Sequence, residues 1–284
     1  MSAGKMALSQ LTIIGAGLIG GSVALAARER QLAKTIVAID KAEKPHKNAG
    51  DLFDRWVHAS DEESARQTLA TSDLAVLCVP VAAIIGMLPE VLDATPGLVT
   101  DCGSTKTAIT QSIAAHPATL RFVAGHPMAG HPVGGLENAR GNLFEDRTWL
   151  LCPTPEQGQT IDPLRTFIQG LGAKIIELSA EAHDDSVAIT SHVPQVVAST
   201  LAVFADKTDA LSAAGPGFAS ATRVAGGAEA MWRDIFSTNG GPIGRELIRI
   251  SEHLKSLGGA LKDGDIQSSL ELLEQARCLR KDDE

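Results

Sequence analysis

The sequence predicts an α/β fold: a doubly wound parallel sheet over residues 1–180, followed by an all-helical domain over residues 181–284. Three observations carry that reading. A Gly-x-Gly-x-x-Gly turn stands between a short apolar run and a helical pattern near the N-terminus. Short apolar runs then alternate with helical patterns up to about residue 180. Beyond Ala180 the periodicity is helical throughout.

The first unit of this pattern starts with Leu11-Thr-Ile-Ile14, a buried strand. Gly15-Ala-Gly17-Leu18-Ile19-Gly20 follows, then a helix, then Thr35-Ile-Val-Ala-Ile-Asp40, a second strand ending in an acid. Each glycine has its own task. Gly15 makes the tight turn, Gly17 lets backbone approach a pyrophosphate, and Gly20 lets helix and strand pack closely. The pyrophosphate then rests on the free N–H groups around Leu18 and Ile19 at the helix N-terminus. Asp40, 20 residues after Gly20, can accept hydrogen bonds from a ribose diol and would repel a 2′-phosphate. The expected fold is therefore Rossmann-type and the expected cofactor NAD, with NADP kept possible by Lys41 and Lys44. Lys5 followed by the uncharged run Met6–Ala27 also resembles a secretory signal. Four glycines dilute that run and a matching second strand follows, so the nucleotide-binding reading is preferred, and no membrane span is expected.

Further strands are expected at Leu74–Val79, before Pro80, at Gly97–Asp101, at Thr148–Cys152 and at Lys174–Leu178, with a short helix over Leu164–Leu171. In an open parallel sheet, ligand-binding groups gather beyond the carboxyl ends of the strands. That rule singles out Cys78-Val79-Pro80, Asp101-Cys-Gly-Ser104-Thr-Lys106 and Gly125-His126-Pro-Met-Ala-Gly130. Val79 and Pro80 are expected beside the cofactor. His126 is the best candidate base, because its near-neutral intrinsic pKa lets it accept a proton at working pH; the alternative is a purely structural histidine.

In the helical part, Ile243, Leu247, Ile250, Leu254 and Leu257 share one face. Asp265 caps a later run in which Ile266, Leu270, Leu273 and Leu279 do the same. Such faces need a cover, so a homodimer through this half is expected; the alternative is that the helices pack only on one another.

Composition narrows the partners. Among 284 residues, 25 basic and 34 acidic side chains leave a net charge of −9, which argues against nucleic acid and anionic membranes and leaves a small-molecule substrate. Cys78, Cys102, Cys152 and Cys278 are scattered without a Cys-x-x-Cys pair, the usage of reduced thiols in a cytoplasmic protein. The eight histidines lack ligand spacing, so no metal is expected. There is no tyrosine, and nothing in the sequence explains that.

Taken together, the motifs resemble those of the prephenate/arogenate dehydrogenase family of tyrosine biosynthesis. The resemblance runs through Gly15–Gly20, Asp101-x-x-Ser104-x-Lys106, Gly125–Gly130, Ser191-His192-Val-Pro194, Gly217-Phe-x-x-x-Thr-Arg223 and Met231-Trp232-Arg-Asp-Ile-Phe236. It implies a nucleotide-binding domain followed by a helical dimerisation domain. It also implies oxidation of a cyclohexadienyl substrate, in which NAD takes hydride, His126 takes the hydroxyl proton, and loss of carbon dioxide aromatises the ring. Ser104 matches the residue that orients nicotinamide and histidine, and Arg223 the arginine that clamps a substrate carboxylate, a task suited to a planar fork. By the same likeness His192 and Gln195 lie on a helix at the substrate site and Trp232 walls the pocket.

One departure concerns Gln195, where many prephenate-using relatives carry histidine. A neutral amide, donor and acceptor at once, suits the ammonium and carboxylate of arogenate, so arogenate is favoured. The chain stops at Glu284 after its helices, and any inhibition by tyrosine is expected to act at the active site. Two rivals stand beside this reading. A β-hydroxyacid dehydrogenase would carry a lysine on the helix that here holds His192 and Gln195, and none occurs before Lys207. A nucleotide-sensing protein without turnover would have lost one of Ser104, His126 and Arg223, and all three are present.

Overall fold

The computed structural model describes residues 7–42, 52–131 and 133–281. Lys5, Met6 and Lys44 lie outside the described residues. The chain divides into two compact units. The first runs through Ser186 and includes Gly226–Asn239; the second comprises Val187–Ala225 and the chain from Gly240 onward.

The first unit is built on one eight-stranded sheet. Its strands are β1 (Leu8–Ile14), β2 (Ala33–Asp40), β3 (Arg55–His58), β4 (Leu74–Leu77), β5 (Leu98–Asp101), β6 (Phe122–Pro127), β7 (Thr148–Cys152) and β8 (Lys174–Glu177). The spatial order is β3-β2-β1-β4-β5-β6-β7-β8. Every pairing is parallel except β6 with β7, which is antiparallel and sets His126 opposite Leu150. The alternation of the expected strands with helices is therefore that of a doubly wound sheet, with one antiparallel step.

The apolar strands read as continuous runs because both faces are buried. Side chains alternate across the sheet. Leu11, Ile13, Ile36, Ala38, Leu74 and Val76 join one core, with Val23, Trp149 and Phe167. Ile14, Val37, Ile39, Ala75, Leu77 and Val99 join the other, with Ile84, Leu88 and Ile109. Helices α1 (Leu18–Glu29) and α5 (Asp162–Gly170) cover the first face; α2 (Glu62–Leu69), α3 (Val81–Ala94) and α4 (Thr107–Ser112) cover the second. The run that resembled a signal is thus β1 and α1 of this sheet.

The helical part comprises α6 (Ala180–Val187), one π-turn over Ala188–His192, α7 (Val193–Lys207), α8 (Pro216–Thr222), α9 (Glu229–Lys262) and α10 (Gln267–Lys281). A single cut at residue 180 does not describe the packing. Helix α6 belongs with the sheet, and so does the first part of α9. Hydrogen bonds hold them there: Ala82 N–H donates to Asp234 Oδ2 at 3.2 Å, Thr105 and Thr238 hydroxyls lie 2.8 Å apart, and Asn239 Nδ2 donates to the Asp184 carbonyl at 2.9 Å. At Asn239 the backbone leaves helical geometry (φ −129°, ψ 17°), and α9 passes into the second unit. By length and composition the continuous run Ala180–Lys207 could cross a bilayer. Its first two turns carry His183, fully buried, and Asp184, nearly so, both hydrogen-bonded among residues of the sheet unit.

In the second unit Asp265 caps α10 as expected, accepting from Gln267 N–H at 3.0 Å and from the Ser268 hydroxyl at 3.1 Å. The apolar face of the last helix is open in the single chain, with Leu273 65% and Leu279 73% exposed; on α9 Leu254 is 59% exposed, Leu247, Ile250 and Leu257 are half-buried and Ile243 is buried.

Gly20 shows how tightly helix and strand meet. A side-chain carbon there would lie 2.1 Å from the Gly15 carbonyl oxygen and 2.8 Å from Ile13 Cγ2. Gly20→Ala is expected to destabilise the sheet unit by about 1–3 kcal/mol through overpacking, read as a lower urea midpoint.

Candidate active site

Strand order reverses between β1 and β4, the point at which an open α/β sheet leaves a crevice beyond its carboxyl ends. The glycine turn lies there. Gly15 has φ +93°, and a side-chain carbon on it would sit 2.6 Å from Val79 Cγ1 and 2.7 Å from the Cys78 carbonyl oxygen. Space is open around Gly17, the N-cap of α1, and no side chain caps that helix. Its first N–H groups are therefore available to an anion. Pro80 precedes the first turn of α3 as its N-cap. These features fit a dinucleotide with its pyrophosphate over Gly17, Leu18 and Ile19.

Asp40 ends β2 beside this turn. Its carboxylate accepts from Ala16 N–H at 2.7 Å and from Ala42 N–H at 2.8 Å. A carboxylate has about four acceptor positions, so capacity remains for a ribose diol. The acid thus closes the glycine loop, which spacing alone does not reveal.

Ser104 and His126 lie past the ends of β5 and β6, which are adjacent and parallel. Both are half-buried. The histidine has a partner that the sequence reading missed: His126 Nδ1 lies 2.9 Å from His183 Nε2, with the rings tilted by 53°. His183 Nδ1 in turn lies 2.8 Å from Asp184 Oδ1. Asp184 also accepts from Lys106 N–H at 2.8 Å and Thr107 N–H at 2.9 Å, capping the start of α4. Burial pushes the Asp184 carboxyl up, but the hydrogen bonds from His183, Thr107 and Lys106 outweigh it and hold the group below the ordinary carboxylate range. A His-Asp pair just past the expected domain boundary was the available signal, and the helical reading of that stretch passed over it.

Lys106 is fully buried, with its ammonium on Asp101 Oδ2 and on the Gly125 carbonyl, the latter at 2.7 Å. Asp101 accepts from Gly103 N–H at 2.8 Å and Gly125 N–H at 3.0 Å. The pair therefore fastens the backbone immediately before His126. Cys78 and Cys102 thiols lie 3.7 Å apart at the ends of β4 and β5, and burial pushes the Cys102 thiol up. Burial also pushes the Cys152 thiol up to about 12; all four cysteines are free. Among the described residues, no group of three or more His, Cys, Asp or Glu side chains is arranged to hold a metal.

The substrate candidates fall in both units. In the second, His192 is buried at the end of the π-turn, Gln195 is half-buried in the first turn of α7, and Arg223 is exposed at the end of α8. In the first, Trp232 stacks on Phe236 with ring centres 5.5 Å apart. Both line an open depression of about 400 Å³ with Glu229, Arg233 and Ser237; His126 is not among its lining residues.

Residues 23–177 match the nucleotide-binding domain of prephenate dehydrogenase, and residues 179–275 its dimerisation domain. The chain belongs to the prephenate dehydrogenase family. That is a family of NAD-dependent oxidoreductases, and the glycine cradle fits its cofactor. The prephenate dehydrogenase of Bacillus subtilis is 33% identical over 243 residues, 81% of this chain and 64% of that one. An Aquifex aeolicus prephenate dehydrogenase, solved with hydroxyphenyl propionate and NAD+, has the same fold with a TM-score of 0.86 at 23% identity, covering 98% of this chain and 99% of that one. Synechocystis arogenate dehydrogenase superposes with a TM-score of 0.80 at 27% identity, over 96% and 99% of the two chains. Membership of this family sets aside the β-hydroxyacid alternative.

Removing one partner of a buried ion pair strands the other charge. Lys106→Met should cost about 3–5 kcal/mol, measured by urea unfolding, and more than the double replacement Lys106→Met with Asp101→Leu.

Proposed function

We propose that the protein oxidises and decarboxylates a cyclohexadienyl substrate with NAD, that arogenate is the favoured form, and that L-tyrosine is then the product. The observation that carries this reading is His126, held by a hydrogen bond on Nδ1 at the carboxyl edge of the sheet that also bears the glycine cradle. In this reading Nε2 is the ring atom that meets the substrate hydroxyl. When bound, NAD supplies the hydride acceptor.

His126 takes the hydroxyl proton as hydride leaves the same carbon, giving a dienone. The bond from ring to carboxylate then breaks, its electron pair aromatises the ring, and the phenolate oxygen takes a proton back. Ser104 orients the imidazole and the nicotinamide. Arg223 holds a substrate carboxylate, and His192, Gln195 and Trp232 bind the rest. Gly15, Gly17, Leu18, Ile19, Gly20, Asp40, Val79 and Pro80 hold the cofactor. The preference for arogenate rests on the amide of Gln195, and the likeness to Synechocystis arogenate dehydrogenase supports it. The same reading has two copies of the chain meet through the apolar residues of α9 and α10, as expected of a dimerisation domain. It places the enzyme in the cytoplasm, in tyrosine biosynthesis.

Initial rates of NAD and NADP reduction with arogenate and prephenate, run in parallel, test the substrate reading. Turnover with arogenate and NAD is expected to lead; faster turnover of prephenate would discard the Gln195 argument. His126→Asn is expected to lower kcat by ~10²–10⁴-fold with NAD affinity little changed, and near-normal turnover would remove His126 as the base.

A further inference from the structure

We infer that His183 and Asp184 are positioning residues that set the tautomer of His126 and stabilise its protonated form. The inference rests on His126 being the base, and concerns what makes it one. The atoms are in line: Asp184 Oδ1 to His183 Nδ1 at 2.8 Å, and His183 Nε2 to His126 Nδ1 at 2.9 Å. His183 is fully buried and Asp184 nearly so, so neither bond competes with bulk water.

With His183 neutral, proton bookkeeping leaves one arrangement. Asp184 is ionised, held below the ordinary carboxylate range by its hydrogen bonds despite burial, and a carboxylate only accepts. His183 therefore carries its proton on Nδ1 and offers a lone pair at Nε2. That lone pair accepts from His126, which must carry its own proton on Nδ1. The remaining nitrogen of His126, Nε2, then carries a lone pair. When the hydroxyl O–H bond breaks, its proton passes to His126 Nε2. The imidazolium so formed faces Asp184 through His183, and no proton needs to leave the relay.

The carboxylate cannot drift from this line. Its two oxygens are also held by the N–H groups of Lys106 and Thr107, and its backbone carbonyl by Asn239 Nδ2. Around the backbone before His126, Asp101 and Lys106 are hydrogen-bonded to Gly125, Cys102 lies within their electrostatic reach, and Cys152 on β7 stands opposite Ala124. Asp101 and Lys106 form a closed ion pair, and both thiols are pushed up by burial. Asp184 directs its negative charge at His126 through His183.

The test compares His183→Phe and His183→Gln with the wild-type enzyme, using NAD with whichever of arogenate or prephenate the wild type turns over. His183→Phe is expected to lower kcat by about 10–100-fold, part of the ~10²–10⁴ that a general base contributes. The KM for NAD should stay put, and the acid limb of kcat/KM against pH should move to lower pH by roughly one pH unit, since the imidazolium loses its carboxylate. His183→Gln puts an amide oxygen within reach of His126 Nδ1–H; it should restore part of kcat but keep the displaced acid limb. A merely structural histidine would lower the yield of active enzyme without moving that limb. An unmoved limb with kcat within about threefold of wild type would overturn the relay. Long-range ¹H–¹⁵N spectra of the wild-type protein give a second readout, with His126 assigned from the signal missing in His126→Asn. An Nδ1–H tautomer is expected for His126, and an Nε2–H tautomer would overturn the inference. Were His126→Asn fully active, the base reading itself would fail; were it inactive while the His183 variants behaved as wild type, only the relay would fall.

Discussion

The structure of the sheet unit turns on one buried ion pair. Asp101 and Lys106 are both sealed from solvent, in surroundings where an isolated charge would be very costly. Each therefore satisfies its remaining hydrogen-bonding capacity on backbone: Asp101 on Gly103 and Gly125, Lys106 on Gly125. The consequence is mechanical. The last residue of β5, the loop behind it and the backbone of β6 before His126 become one fastened piece. Gly125 suits this position because a side-chain carbon there would lie 2.8 Å from the Asp101 carbonyl oxygen.

A second set of polar contacts is built on the first. The N–H groups of Lys106 and Thr107, at the start of α4, are taken up by the Asp184 carboxylate, which links α6 to the sheet. Asp184 thereby serves as helix cap, as partner of His183 and as one end of the line to His126. A short helix with few apolar residues needs such a cap, and a base needs a fixed ring. One carboxylate meets both demands, so the geometry of the proposed base is held by groups that also hold the fold.

The second unit follows different physics. Its helices expose leucines and isoleucines in register on α9 and α10, and apolar stripes of this kind are normally covered. The family model for these residues is a dimerisation domain, which gives the stripe a reason. The sheet unit buries most of its apolar residues within one chain because its central strands are covered on both faces.

Local pattern was enough for much of this protein. The Gly15–Gly20 turn, the strands before Asp40, Pro80 and Asp101, the cap at Asp265 and the apolar stripes were legible because each depends on neighbours within about twenty residues. Family membership was legible for a related reason: ordered short motifs survive at fixed chain positions. Other features depend on contacts across long separations, which no local period encodes. The return of Gly226–Asn239 to the sheet unit, the antiparallel β6–β7 step and the meeting of His126 with His183, 57 residues on, were decided only by tertiary structure. Buried polar groups must find partners wherever the chain brings them, and it is that requirement, absent from any window of sequence, that joins Asp184, His183 and His126 in one line.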